Sequence, residues 1–216
     1  MTENVIQRQP VVVRVLAKVL SYVFHPLFIP TYIFGWMVLR FPYEFIGLQG
    51  HDLTLREIGV FMTTAFFPAF TVFLLWKLGF AKSIHLRYQK ERIIPYIATM
   101  IFYWWMWYLS RNFTDQASAL KFFYFGIFIA TIPGLILNNF VKISMHAMGV
   151  GGALAAIILT CILYQNNYGL DIALFTLIAG TVCTARMALS EHSLFEINLG
   201  FIVGALCQII GYWVMM

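Results

Sequence analysis

Charge is what this sequence has least of. Asp, Glu, Lys and Arg together make up 11% of its 216 residues, against roughly a quarter in a soluble domain. So few charges cannot cover a water-exposed globular surface, which excludes a soluble domain. Cysteine is scarce as well. Cys161, Cys183 and Cys207 all lie in apolar runs, without the spacing of a metal site or a disulfide framework, and read as small hydrophobes. Linkers, low-complexity segments and internal repeats are missing, so a single domain over 1–216 is expected. No small-residue cleavage site follows the first apolar stretch, which itself carries Arg14 and Lys18; a cleavable signal peptide is not expected. No polar domain interleaves aromatic with basic residues, so the net charge of +5 is not read as a nucleic-acid surface.

What is present is apolar. Hydrophobic residues make up 61% of the chain and the mean hydropathy is +0.81. A membrane-crossing helix takes roughly 20 apolar residues. The expected fold is therefore all-α, a polytopic integral membrane bundle of about six to seven transmembrane helices. The apolar runs are continuous rather than alternating, which argues against a transmembrane barrel. Apolar runs fall at 23–39, 57–78, 96–109, 120–138, 147–164, 170–185 and 195–213. Ahead of them, 1–22 is a polar N-terminal segment whose Arg14 and Lys18, four apart among Val, Leu and Ala, predict an interfacial amphipathic helix. Pro26 and Pro30 predict a break at the start of the first run.

Three polar islands interrupt the runs. The first, 79–95, is the most basic and holds Lys82, His85, Arg87, Lys90 and Arg92. The second reads Lys142-Ile143-Ser144-Met145-His146 and opens a glycine-rich helix. The third runs from Ala185 to Glu196 and holds Arg186, His192 and Glu196. Each follows an even number of crossings, so all three emerge on one membrane face. Ionisable groups gathered at a membrane face mark function more often than chance.

The residue types point to phosphate chemistry. Glu196 is four residues after His192 and shares its face on a helix; a carboxylate on one imidazole nitrogen makes the other a better base or nucleophile. Arg186 offers a planar cation to an oxyanion. Ser144 and a helix N-terminus can donate to phosphate, and His146 can deliver a proton. The plainer alternative is that these are loop residues at the membrane surface, with Lys142 snorkelling to the headgroups.

These residues resemble the type 2 phosphatidic acid phosphatase superfamily, which also contains the vanadium haloperoxidases. Its third motif is Ser-Arg, five residues, His, three residues, Asp. Here Arg186, His192 and Glu196 keep the spacing, with Ala185 for the serine and Glu196 for the aspartate. Its second motif, Pro-Ser-Gly-His, is matched in part by Ile143-Ser144-Met145-His146. Its first, Lys, six residues, Arg-Pro, aligns on Pro95 with Arg87 at the lysine and Ile94 at the arginine, while Arg92 lies two positions early. The resemblance covers about residues 80–215.

It implies a membrane-bound lipid phosphatase without a metal or other cofactor. His192 would attack phosphorus, Glu196 would orient it, and His146 would protonate the leaving oxygen. Arg186, Ser144 and one or more of Arg87, Lys90 and Arg92 would hold the phosphate; Lys142, outside the motif, can assist. The partners implied are the bilayer and a lipid phosphate or diphosphate. A phosphotransferase would use the same residues. A non-catalytic member that binds anionic lipid and a small multi-span transporter with helices broken at Pro68 and Pro133 are the other readings. Orientation stays open. The site face carries ten of the 14 Lys and Arg, which by the positive-inside rule faces the cytoplasm, whereas the resemblance implies the outer face of a bacterial inner membrane.

Overall fold

The computed structural model describes residues 9–48, 50–86, 88–165 and 168–216. Among them the chain is helical, with no strand. Helix α1 spans Val11–Val23 and α2 Ile29–Arg40. A 3₁₀ turn at Pro42–Phe45 leads to α3, His51–Phe61. A π turn at Met62–Phe66 joins α3 to α4, Phe67–Lys77, in one unbroken rod. After a 3₁₀ turn at Gln89–Arg92 come α5 (Ile93–Asn112), α6 (Ser118–Asn138), α7 (Met145–Leu163), α8 (Gly169–Ala188) and α9 (Leu194–Met215).

Five helices are long and apolar enough to cross a membrane: His51–Lys77, Ser118–Asn138, Met145–Leu163, Gly169–Ala188 and Leu194–Met215. That is the mark of an integral membrane protein. Two of the seven expected spans do not meet the same measure. Helix α5 has the length, but its run of Tyr and Trp lowers its apolarity. The first expected span, 23–39, is divided: α1 ends at Val23, and α2, with Pro30 in its first turn, has 12 residues. That is about 18 Å of helix, short of the roughly 30 Å hydrocarbon core.

The break has a local cause. Proline cannot donate to the preceding turn and disfavours helix at the residue before it, so Pro26 stops α1 and Pro30 is accommodated only where α2 begins. Pro68 acts differently. It lacks the N–H that would bond to Thr64, and the helix widens into the π turn just ahead of it. The Thr64 hydroxyl donates to the Val60 carbonyl at 2.8 Å.

Lipid offers no hydrophobic drive for helices to associate, so close packing and small residues hold the bundle. Helices α7 and α9 are the closest pair. A Cβ on Gly200 would lie 2.6 Å from the Ser144 carbonyl oxygen, and one on Gly204 would overlap the Met148 carbonyl. Backbone therefore touches backbone, which brings the N-termini of α7 and α9 together. Around this pair Phe34, Phe122, Phe123, Tyr124 and Ile157 are buried. Phe66, Phe70 and Phe73 on the α3–α4 rod and Leu170, Leu174 and Leu177 on α8 face outward.

The two ends of the bundle differ in charge. At one end two arginines are paired with carboxylates. Arg40 pairs with Asp171 at 2.9 Å, and Arg56 bonds to Asp115 at 3.1 Å and to Gln116 at 2.9 Å. The other end gathers the three polar islands. Segment 24–40 runs the length between the ends, because Arg40 meets Asp171 at the start of α8 while Ser21 meets Arg186 near its finish.

Candidate functional site

The site is built on the α8–α9 connection. Ser190 turns the chain at φ 54, a left-handed conformation that non-glycine residues adopt uncommonly. Ser193 then caps α9. Its hydroxyl accepts from the Glu196 N–H at 3.3 Å, and its own N–H donates to Glu196 Oε2 at 2.9 Å, a reciprocal capping box. His192 is held between these two fixed points and is only 8% exposed.

Three hydrogen bonds tie this connection to the one between α6 and α7. Lys142 Nζ donates to the Glu191 carbonyl at 3.1 Å, and the Lys142 carbonyl lies 2.9 Å from His192 Nδ1. The Ser144 N–H donates to the Glu196 carbonyl at 3.3 Å. A carbonyl can only accept, so Nδ1 carries the proton and His192 Nε2 keeps its lone pair. Glu196 Oε2 is also 3.3 Å from Nδ1, as its spacing from His192 leads one to expect, and the same oxygen serves the capping box. The shorter bond orienting the imidazole is therefore to the Lys142 backbone.

The basic island supplies Arg92. Leu86, at φ 46, aims its carbonyl at Arg92 Nε, 2.9 Å away, and Asn138 at the end of α6 donates to the Gln89 carbonyl at 3.0 Å. Arg92 is 8% exposed, with Glu191 and Glu196 in electrostatic range. Arg186 enters from the last turn of α8. Its NH1 donates to Ser21 Oγ at 3.3 Å and its NH2 lies 3.9 Å from Glu191 Oε2. Its Nε is buried with no hydrogen-bond partner. Burial first, and then the charges of Arg186, Arg92 and Lys142, push the His192 pKa below its ordinary value. The imidazole is neutral near pH 7, with its nucleophilic lone pair available.

His146, in the first turn of α7, bonds through Nε2 to the Ser21 carbonyl at 3.0 Å. Its ring stands edge-on to that of His25, with centroids 5.2 Å apart. The Leu27 N–H donates to His25 Nδ1 at 3.4 Å. Burial, and then Arg186, lower the His25 pKa to about 4.

Of the residues expected from sequence, Arg92, Lys142, His146, Arg186, His192 and Glu196 gather at this one end. Ser144 is close by but is 0% exposed. Its hydroxyl caps α7 by accepting from the Ala147 N–H at 3.3 Å, a structural use in place of a phosphate contact. Lys90 is exposed on the 3₁₀ turn, and Arg87 lies outside the described residues. Ser21, His25 and Glu191 were missed. His25 lies at the very start of the 23–39 run, before that run has crossed, and so on the same even face as the three islands; the crossing count itself points to it. Among the described residues no three His, Cys, Asp or Glu come close enough to share a metal ion.

The arrangement suits an anion. Three cationic side chains lie within electrostatic range of a neutral imidazole. The N-termini of α5, α7 and α9, at Arg92, Ser144 and Ser193, also turn their positive dipole ends this way. No protein-family model matches the chain, and neither a curated protein nor a solved structure does.

Proposed function

We propose that this chain is an integral membrane lipid phosphatase acting on a lipid phosphate monoester or diphosphate through a phosphohistidine. The observation that carries the reading is His192. Its Nδ1 proton is tied to the Lys142 carbonyl, and Arg92, Lys142 and Arg186 all act on the ring. An anion drawn to those cations meets the Nε2 lone pair. The motif spacing of Arg186, His192 and Glu196 agrees with the resemblance to the type 2 phosphatidic acid phosphatases.

In this mechanism His192 Nε2 forms a bond to phosphorus as the bond from phosphorus to the lipid oxygen breaks. His146, whose Nε2–H stays on the Ser21 carbonyl, enters as the imidazolium and gives its Nδ1 proton to that oxygen. Water then attacks phosphorus, giving its proton to His146, and the P–N bond breaks to release phosphate and restore His192. Arg92, Arg186 and Lys142 stabilise the charge on the equatorial oxygens. Arg92 takes the part of the first motif's arginine. Glu196 acts through the capping box, which fixes the position of His192.

The same reading completes the membrane topology. Helix α5 crosses as well, with its Tyr and Trp at headgroup depth, and segment 24–40 makes the remaining passage. Helix α1, with Arg14 and Lys18 exposed, rests at the interface on the site side. The site faces outward from a bacterial inner membrane.

The test is phosphate release by purified protein in detergent from a panel of lipid phosphates with EDTA present. Release is expected to persist in EDTA and to fall on the order of 10³-fold or more in His192→Ala. An acid-labile, alkali-stable phosphoprotein is expected to form in the wild type alone. Binding of lipid phosphate without release from any of them would refute the phosphatase and establish a non-catalytic anionic-lipid binder.

A further inference from the structure

Helix α1 carries none of the three polar islands, yet its last turn touches two of the site's side chains. The cause lies in the break that follows. Pro26 ends α1, and the His25 N–H turns to the Tyr22 carbonyl at 3.3 Å. In a continuing helix that N–H would bond to the Ser21 carbonyl, which is thereby left for a partner outside the helix. His146 supplies it through Nε2 at 3.0 Å.

The Ser21 side chain is committed as firmly. The residue is 7% exposed, and its hydroxyl donates to the Ala17 carbonyl at 2.8 Å. Its one proton is thus used, and the oxygen can only accept from Arg186 NH1, 3.3 Å away. Packing fixes the segment from both sides. Helix α1 lies against α8. On α7, a Cβ at Gly149 would lie 2.7 Å from Ile29 Cδ1 and 3.2 Å from Pro26 Cβ, so only glycine lets the break approach this closely. Ser21 is a rigid acceptor held between α7 and α8.

Two groups compete for Arg186. Glu191 Oε2 stands 3.9 Å from NH2, and the Glu191 side chain, 44% exposed, has room to move closer. Ser21 anchors NH1. The donors that remain are NH2 and Nε, the latter buried without a partner. These two lie on one edge of the planar guanidinium, the edge that grips two oxygens of a phosphate at once. A buried donor left unpaired is costly, so this edge is set for an anion. An Arg186 closed on Glu191 would turn the same edge to the carboxylate.

We infer that Ser21 is a positioning residue of the anion site, holding Arg186 clear of Glu191 so that its Nε and NH2 edge meets the phosphate. This rests on the reading of the cluster as a phosphate site and names the residue that keeps its cation free. No motif spacing points to Ser21, which lies 165 positions from Arg186.

The experiment measures the affinity of full-length protein in detergent for inorganic phosphate, which needs no turnover. Wild type, Ser21→Ala, Glu191→Gln and the double variant complete a cycle. Ser21→Ala removes the hydroxyl and keeps the backbone carbonyl on His146. It is expected to weaken phosphate binding about three- to tenfold, as Arg186 closes on Glu191. In Glu191→Gln the competing carboxylate is gone, and adding Ser21→Ala is expected to change affinity by less than about twofold. A packing defect alone would weaken binding equally in both backgrounds. Phosphate affinity unchanged by Ser21→Ala, or an equal loss with and without the Glu191 carboxylate, overturns the inference. Should Ser21→Ala unfold in detergent, Ser21→Cys takes its place in the cycle, because a thiol is too weak an acceptor to hold the guanidinium. If the cycle behaves as expected but no lipid phosphate is hydrolysed, the phosphatase reading fails alone. If lipid phosphate is hydrolysed and Ser21→Ala leaves phosphate affinity unchanged, the Ser21 inference fails alone.

Discussion

Substituting Gly204 by alanine tests the contact that sets the geometry of the site. The new methyl would overlap the Met148 carbonyl oxygen, 2.8 Å from its carbon and 3.0 Å from the Gly152 nitrogen. All three obstacles are backbone, so no side chain can swing aside. Helices α7 and α9 must separate by about 1 Å to restore ordinary contact, and overpacking of this kind costs about 1–3 kcal/mol. Alanine is the better helix former by about 1 kcal/mol, which offsets part of the loss. Gly180 in α8 is the control, because a Cβ there meets nothing within 4 Å. Gly180→Ala is expected to stabilise by up to about 1 kcal/mol, whereas Gly204→Ala destabilises by about 1–2 kcal/mol. The assay is thermal unfolding in one detergent, followed by phosphate release at a temperature where both variants are folded. Separation of α7 from α9 also pulls His192 from the Lys142 carbonyl, so Gly204→Ala is expected to lose activity while Gly180→Ala keeps it. Two variants equal in stability and activity would refute the claim that α7–α9 contact positions the imidazole.

The site carries its own competing anion. Glu191 Oε2 lies 3.9 Å from both Lys142 Nζ and Arg186 NH2. Glu191→Gln is expected to tighten inhibition by inorganic phosphate several-fold, about 1 kcal/mol for a solvent-screened charge; an unchanged inhibition constant would mean that Glu191 does not occupy the anion's place. Acid should loosen the fold through His25. Its pKa is about 4 in the folded chain against about 6.5 unfolded, so the unfolded chain binds the extra proton between these values. The His25 contribution to stability is complete above pH 6.5 and is lost as pH falls towards 4, to a limit of about 3 kcal/mol. Unfolding curves at pH 5 and 7 should lie closer together for His25→Gln than for wild type, and an undiminished gap would refute this.

Much of the architecture was legible in the sequence because a bilayer leaves few options. Apolar runs become helices, prolines choose their breaks, and counting crossings put Arg92, Lys142, His146, Arg186 and His192 at one end. Side-chain partners were less legible. Ser144 looked like a phosphate donor but caps α7. Glu196 looked like the partner of His192 and does reach its Nδ1 at 3.3 Å, but the same oxygen also closes the capping box with Ser193. Both patterns were visible, and spacing alone does not rank two uses of one carboxylate. The role of the Lys142 carbonyl lay beyond any side-chain motif. The short α2 was hidden for another reason: hydropathy records the apolar run across His25–Phe28, while the two prolines decide how little of it is helical.

The division at Pro26 also sets an order of assembly. Ser21 and His25 leave the ribosome first, and His192 follows 167 positions later, on the order of 10–30 s at ordinary synthesis rates. Through that interval Arg186 has yet to be made, and His146 becomes available only late. The first segment therefore waits at the membrane surface for partners supplied by the last two helices. Until α9 has inserted beside α7, no imidazole lone pair stands among the cations.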